Sequence, residues 1–194
     1  MLESFIRYFE SGLYHILNFD SYDHILFVII ISVPFTFKDW KRLLILISIF
    51  SLGHTLSLLL GLYDTLNLNV NITEWLIPFT IFLMAFYNIF TAGKLSRRPY
   101  FSYGFVLFFG LIHGLGFANV FERLLGSDDS TLLSVIEFAI GIEIGQCIVV
   151  LFVLILSFIA QSIFRFSNRD WVLVISSIIL GFISPLIFMG PLFS

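Results

Sequence analysis

Three stretches of this chain, Leu43 to Tyr63, Phe101 to Phe121 and Trp171 to Phe193, contain no Asp, Glu, Lys or Arg. A helix needs about 20 apolar residues to cross roughly 30 Å of hydrocarbon. Two more runs are long enough, Glu74 to about Ala92 and Thr131 to about Phe164. The run Ile25 to Phe37 is short, and spans only if its helix begins near Tyr22 and takes in Asp23 and His24. Ahead of it, residues 1 to 19 put Leu2, Phe5, Ile6, Phe9, Leu13, Ile16 and Leu17 at helical spacing. That segment reads as an amphipathic interfacial helix, or as the first half of a long or broken first span. The expected fold is all-α: a polytopic integral membrane helix bundle, about six transmembrane helices plus an N-terminal interfacial helix, with residues 1–194 as a single transmembrane domain.

Composition points the same way. Hydrophobic residues make up 59% of the chain and charged ones 12%, about half the charge of a soluble domain, and mean hydropathy is +1.02. Such a chain cannot cover a water-facing globule, and lipid removes the need. There is no basic stripe or nucleic-acid module, so no nucleic-acid partner is expected. The lone Cys147 excludes an intrachain disulfide. Glu3, Arg7 and Glu10 interrupt the N-terminus and no small-residue cleavage site follows, so no cleavable signal is expected. Eight of the ten basic residues fall in three turns: Lys38, Lys41 and Arg42; Lys94, Arg97 and Arg98; Arg165 and Arg169. The positive-inside rule sets those turns in the cytoplasm and both termini outside.

Polar groups buried in apolar runs carry the functional signal, because an ionisable side chain within the bilayer is costly without a partner or a task. His113 lies in FVLFFGLIHGLGFAN among Gly110, Gly114 and Gly116, glycines that permit close packing. His54 belongs to a stripe with Ser48, Ser51 and Ser57, expected to face protein. Glu143 stands between Gly141 and Gly145, with Gln146 beyond; small residues four apart allow close helix approach. Each of these three is about 12 residues from one membrane face, or about 18 Å at about 1.5 Å per residue. Asp23 and His24 stand at the mouth of the first span; Asp23 suits either ligation, orientation of a ring or a helix cap. His15, Asp20 and Asp23 suggest an outer vestibule. Four helices can thus bring His24, His54, His113 and Glu143 together, with Asp23 and His15 as further metal candidates. Imidazole nitrogen and carboxylate oxygen suit a divalent ion of the nickel and zinc type.

Four segments carry a family resemblance: GLYHILNFDSYDHILF at 12–27, FSLGHTLSLLL at 50–60, FGLIHGLGFAN at 109–119 and FAIGIEIGQ at 138–146. Together they resemble the HupE/UreJ membrane proteins associated with hydrogenase and urease maturation. The resemblance implies a bundle of six to eight helices in the bacterial cytoplasmic (inner) membrane. It also implies a nickel or related metal permease that works beside metalloenzyme maturation proteins. By that resemblance the first-span motif maps onto His15, Asp23 and His24, the next histidines onto His54 and His113, and the late acidic motif onto Glu143 and Gln146.

The favoured expectation is transport of a divalent transition metal through the His/Asp/Glu cluster. No ATP-binding P-loop is present. A membrane-embedded zinc hydrolase is the rival, since three histidines and a carboxylate can activate water on zinc. A third reading is a non-transporting scaffold whose polar groups only lock helices together.

Overall fold

A computed structural model describes residues 2–18, 22–63, 65, 70–93, 99–126 and 129–188, with backbone alone at 70 and 99–102. Asp20, Lys94, Arg97 and Arg98 lie outside the described residues. The chain forms α1 (Leu2–Leu17), α2 (Tyr22–Ser32), a short 3₁₀ turn at Phe37–Asp39, α3 (Trp40–Leu62), α4 (Val70–Thr91), α5 (Pro99–Glu122), α6 (Thr131–Ser162) and α7 (Asn168–Phe188). Helices α3 to α7 are each long and apolar enough to cross a membrane, and α2 is a shorter apolar helix. Helix α4 starts at Val70, and Thr73 sits buried inside it. Ser167 caps α7, its hydroxyl accepting the Asp170 N–H at 3.1 Å.

The surface of the bundle is more apolar than parts of its interior. Along α6, Ile136, Ile140, Ile144, Ile148, Leu151 and Ile155 are exposed. The opposite face buries Ser134, Glu137, Gly141, Gly145, Gln146 and Ser157. Water would punish that arrangement; lipid favours it, because helix association there relies on close packing and interhelical hydrogen bonds. Asn88 supplies one such bond, its Nδ2 donating to the Ile30 carbonyl at 2.7 Å. Trp75 Nε1 supplies another, to Ile187 O at 3.2 Å.

Glycines set the two closest helix pairs. A methyl built on Gly53 of α3 would stand 2.5 Å from the Leu107 carbonyl oxygen of α5, and one on Gly110 or Gly114 would strike the Phe50 or His54 carbonyl. Helices α1 and α6 lock in the same way: Gly12 lies against the Phe138 carbonyl, Gly141 against that of Phe9, and a methyl on Gly145 would come within 2.9 Å of Ile16 Cβ.

This second lock holds the N-terminal helix along α6. Helix α1 descends along the first half of α6, from Arg7 and Tyr8 beside Asp129 to Ile16 beside Gly145. Its last turn then meets the first turn of α2, with the His15 and His24 ring centres 4.3 Å apart. At 16 and 11 residues, the two helices run about 24 and 16 Å. Neither is long enough to span alone, and the two meet at the histidines.

Candidate metal centre

Four helices deliver one histidine each. His15 comes from the last turn of α1, His24 from the first turn of α2, His54 from α3 and His113 from α5. Their exposures are 9%, 4%, 0% and 1%, so His15 is a core residue and not part of a surface vestibule. Glycine makes the meeting possible: Gly114, beside His113, lets the α5 backbone ride over His54 O and Ser57 Oγ where any methyl would collide.

His15, His24 and His54 each offer a nitrogen, all within 4.8 Å of one another. The His15–His54 and His24–His54 ring centres are 5.4 and 5.6 Å apart, and His113 stands 5.3 Å from His24. With a metal–nitrogen bond of about 2.0–2.1 Å, two imidazoles held tetrahedrally have centres about 5.2 Å apart. The rings of His15, His24 and His54 therefore fit around one ion with small adjustments, and His113 stands beside them against His24. His24 is the hub, touching the other three.

Hydrogen bonding gives an independent test of that fit. His15 Nε2, His24 Nε2, both nitrogens of His54 and His113 Nδ1 are buried without a hydrogen-bond partner. An unmade buried hydrogen bond costs about 1–3 kcal/mol. A histidine whose task is packing normally finds a carbonyl or hydroxyl; here His15, His24 and His54 bring nitrogens together instead, as a ligand shell does. Asp23 orders the hub: His24 Nδ1 lies 3.1 Å from Asp23 Oδ1. The carboxylate accepts, Nδ1 carries the hydrogen, and Nε2 is left with a lone pair able to bind a metal.

Glu143 has other partners. Its Oε1 accepts from Ser48 at 2.5 Å and its Oε2 from Ser51 at 2.6 Å, and Ser51 also lies 3.0 Å from Gln146 Oε1. The carboxylate ties α6 to α3 one turn from His54, while the trio is all nitrogen. Ser51 and Ser57 of the α3 stripe are buried as expected, but Ser48 is exposed.

Phenylalanines seal the histidines on both sides. On the α2 side, Phe27 packs on Phe50 at 4.7 Å, on His113 at 4.9 Å and on Phe109 at 5.7 Å. On the α1 side, Phe117 lies 4.0 Å from His15 and stacks on Phe138 at 5.2 Å, with Phe121 behind at 5.0 Å from Phe138. These rings were not singled out from sequence. Their signal was one helical turn: Phe27 follows His24 by three, Phe50 and Phe109 precede His54 and His113 by four, and Phe117 follows His113 by four. A turn beyond the Phe27 layer, Ile31, Leu46 and Val106 open on a cavity of about 240 Å³ that also takes in Thr36, Asp39 and Asn88.

At the opposite end, the Tyr8 hydroxyl donates to Asp129 Oδ2 at 2.7 Å, and Arg7 pairs with the same carboxylate. The Tyr8 hydrogen bond, aided by the Arg7 charge, holds the Asp129 carboxyl below the usual carboxylate range. The start of α1 is thereby tied to the α5–α6 loop.

No curated protein and no solved structure matches this chain. A family model described as HupE / UreJ protein matches residues 1–189. With that match over nearly the whole chain, and a buried histidine cluster able to hold a metal inside a membrane helix bundle, the protein belongs to the HupE/UreJ family.

Proposed function

We propose that this protein carries a divalent transition metal, nickel or an ion much like it, across the bacterial cytoplasmic membrane, with both termini outside. One observation carries the reading: buried imidazoles meet inside the helix bundle, where α1 gives way to α2, with their nitrogens unpartnered. Neutral nitrogen donors favour nickel, zinc or cobalt over magnesium and calcium, which take oxygen. The phenylalanine layers keep water and other ions out while the metal exchanges its hydration shell for imidazole.

The break between α1 and α2 supplies a means of release. His15 rides on α1, whose main partner is α6, whereas His54 and His113 ride on the α3–α5 pair. A tilt of α1 with α6 withdraws one donor and opens the Phe117–Phe138 side. A shift of α2 moves His24 and Phe27 together toward the cavity near the basic turns. A conducting site must bind firmly enough to admit the ion and weakly enough to free it, and losing one nitrogen of three does that. Released ion would then be available to metalloenzyme maturation proteins in the cytoplasm.

The test pairs metal analysis of purified protein with nickel and zinc flux into proteoliposomes, comparing wild type with His24→Ala and His54→Ala. Flux lost in both variants supports the reading. Stoichiometric, tightly held metal without flux points instead to a membrane-embedded hydrolase. Absence of both metal and flux leaves a scaffold.

A further inference from the structure

Thr80, on α4, is among the residues that metal-ligand chemistry would pass over. Its side chain is 1% exposed. The hydroxyl has two neighbours, the Ile77 carbonyl at 2.7 Å and His113 Nε2 at 3.1 Å. A threonine hydroxyl owns one hydrogen. A carbonyl can only accept, and it is the closer of the two, so the hydrogen goes to Ile77. Toward His113 the hydroxyl therefore offers a lone pair, and the imidazole must bring the hydrogen on Nε2. A neutral imidazole with its hydrogen on Nε2 has a bare Nδ1, and His113 Nδ1 is buried and without a partner. Its ring is packed against Phe27 at 4.9 Å and Phe50 at 5.3 Å, neither of which can donate to nitrogen, and against the hub His24 at 5.3 Å.

We propose that Thr80 is a positioning residue that holds His113 in the Nε2–H form and so presents its Nδ1 lone pair as a fourth imidazole donor beside the trio. The inference rests on the metal reading above and extends it. It adds α4 to the helices that shape the site. It also gives the ion a further nitrogen to move onto when His15 is withdrawn. Asp23 does the same for His24 from the other ring nitrogen, so the two rings are locked in opposite forms by two different acceptors.

The experiment reads the metal-free protein first. Nitrogen NMR of protein labelled at histidine, with the His113 signals assigned by their loss in His113→Gln, should show a protonated Nε2 and a bare Nδ1. Thr80→Ser should keep that pattern, and Thr80→Val, nearly the same shape, should give a mixture. Cobalt-loaded wild type and Thr80→Ser should then show four imidazoles by X-ray absorption. Thr80→Val should show three, with cobalt affinity down about 10- to 100-fold, the usual range for loss of an outer hydrogen bond to a ligand. A hydrogen on Nδ1 in wild type, or an unchanged His113 in Thr80→Val, overturns the inference. Wild type that binds cobalt through three imidazoles whatever stands at position 80 overturns it while sparing the metal reading. Wild type that takes no cobalt overturns both.

Discussion

Replacing His54 with leucine should make the metal-free protein more stable while removing its response to metal. His54 is fully buried and both of its nitrogens lack partners. In the absence of metal each unmade bond costs about 1–3 kcal/mol. Leucine fills a similar volume without polar atoms, and a volume-conserving swap in a packed core usually costs less than about 1.5 kcal/mol. With two such nitrogens the balance favours the variant by about 0.5–6 kcal/mol, and each kcal/mol in a chain of this length raises the midpoint by about 2–4 °C. Wild type should gain about 2.7 kcal/mol from metal at a hundred times its dissociation constant, and His54→Leu should gain none.

The assay is thermal unfolding in detergent, followed by circular dichroism, with chelator and with graded nickel or zinc. The two curves should cross: the variant leads in chelator, wild type leads in metal. If His54→Leu instead loses more than about 2 kcal/mol in chelator, His54 is a structural hydrogen-bonder and the reading of its bare nitrogens is wrong. The scaffold reading predicts that loss, so one measurement separates the two.

Glycine position should matter more than glycine itself. Gly114→Ala drives a methyl into the His54 carbonyl and Ser57 Oγ and should cost about 1–3 kcal/mol along with metal binding, whereas Gly181→Ala meets open space and should gain about 0.5–1 kcal/mol of helix stability; melting curves and metal titrations of the two check this. Asp23→Asn should retain the fold but lower metal affinity about 10- to 100-fold, read by titration, because an amide orients His24 without supplying negative charge. The tie between α1 and the α5–α6 loop should survive mild acid. A carboxyl whose folded pKa is depressed contributes fully above its unfolded value, about 3.9, and loses that contribution as pH falls through the lower folded value. Amide exchange over residues 2–10 should therefore quicken only below about pH 4, and in Asp129→Asn it should be quick at neutral pH; fast exchange in wild type at pH 6 would refute the assignment.

Depth was legible in the sequence because helical rise is fixed. Counting residues from the charged turns set His54 and His113 at one level, and the structure joins both to His24. Direction around the helix axis was much harder to read. Helix α5 is apolar on every side, so nothing in it announced that Phe109 and Phe117 flank the cluster or that Gly114 faces α3. Helix α3 had a serine stripe, and two of its serines do face protein, yet Ser48 is exposed because the stripe drifts around the helix. His15 read as part of an outer vestibule, on a helix that also carries Glu3, Arg7 and Glu10. Only the glycine contact with α6, which depends on Gly12 and Gly141 meeting across 129 residues of sequence, draws its last turn inward. Thr80 gave no signal, since a threonine in an apolar helix most often bonds its own backbone, as this one also does.

The separate placement of Glu143 bears on why such a site can let go of an ion. A divalent metal on neutral imidazoles brings two positive charges into a medium that solvates charge poorly. Asp23, acting through His24, answers one of them. A second carboxylate bound directly to the ion would neutralise it and deepen the well, giving a resident metal and not a passing one. On the proposed reading, with Glu143 engaged by Ser48 and Ser51, an ion held by the imidazoles would stay under-compensated, and a modest movement of α1 or α2 would release it. The same reasoning limits the metals that fit: a hard ion would lose oxygen ligands and gain nothing comparable, while nickel, zinc or cobalt recovers in nitrogen bonding what it gives up in hydration.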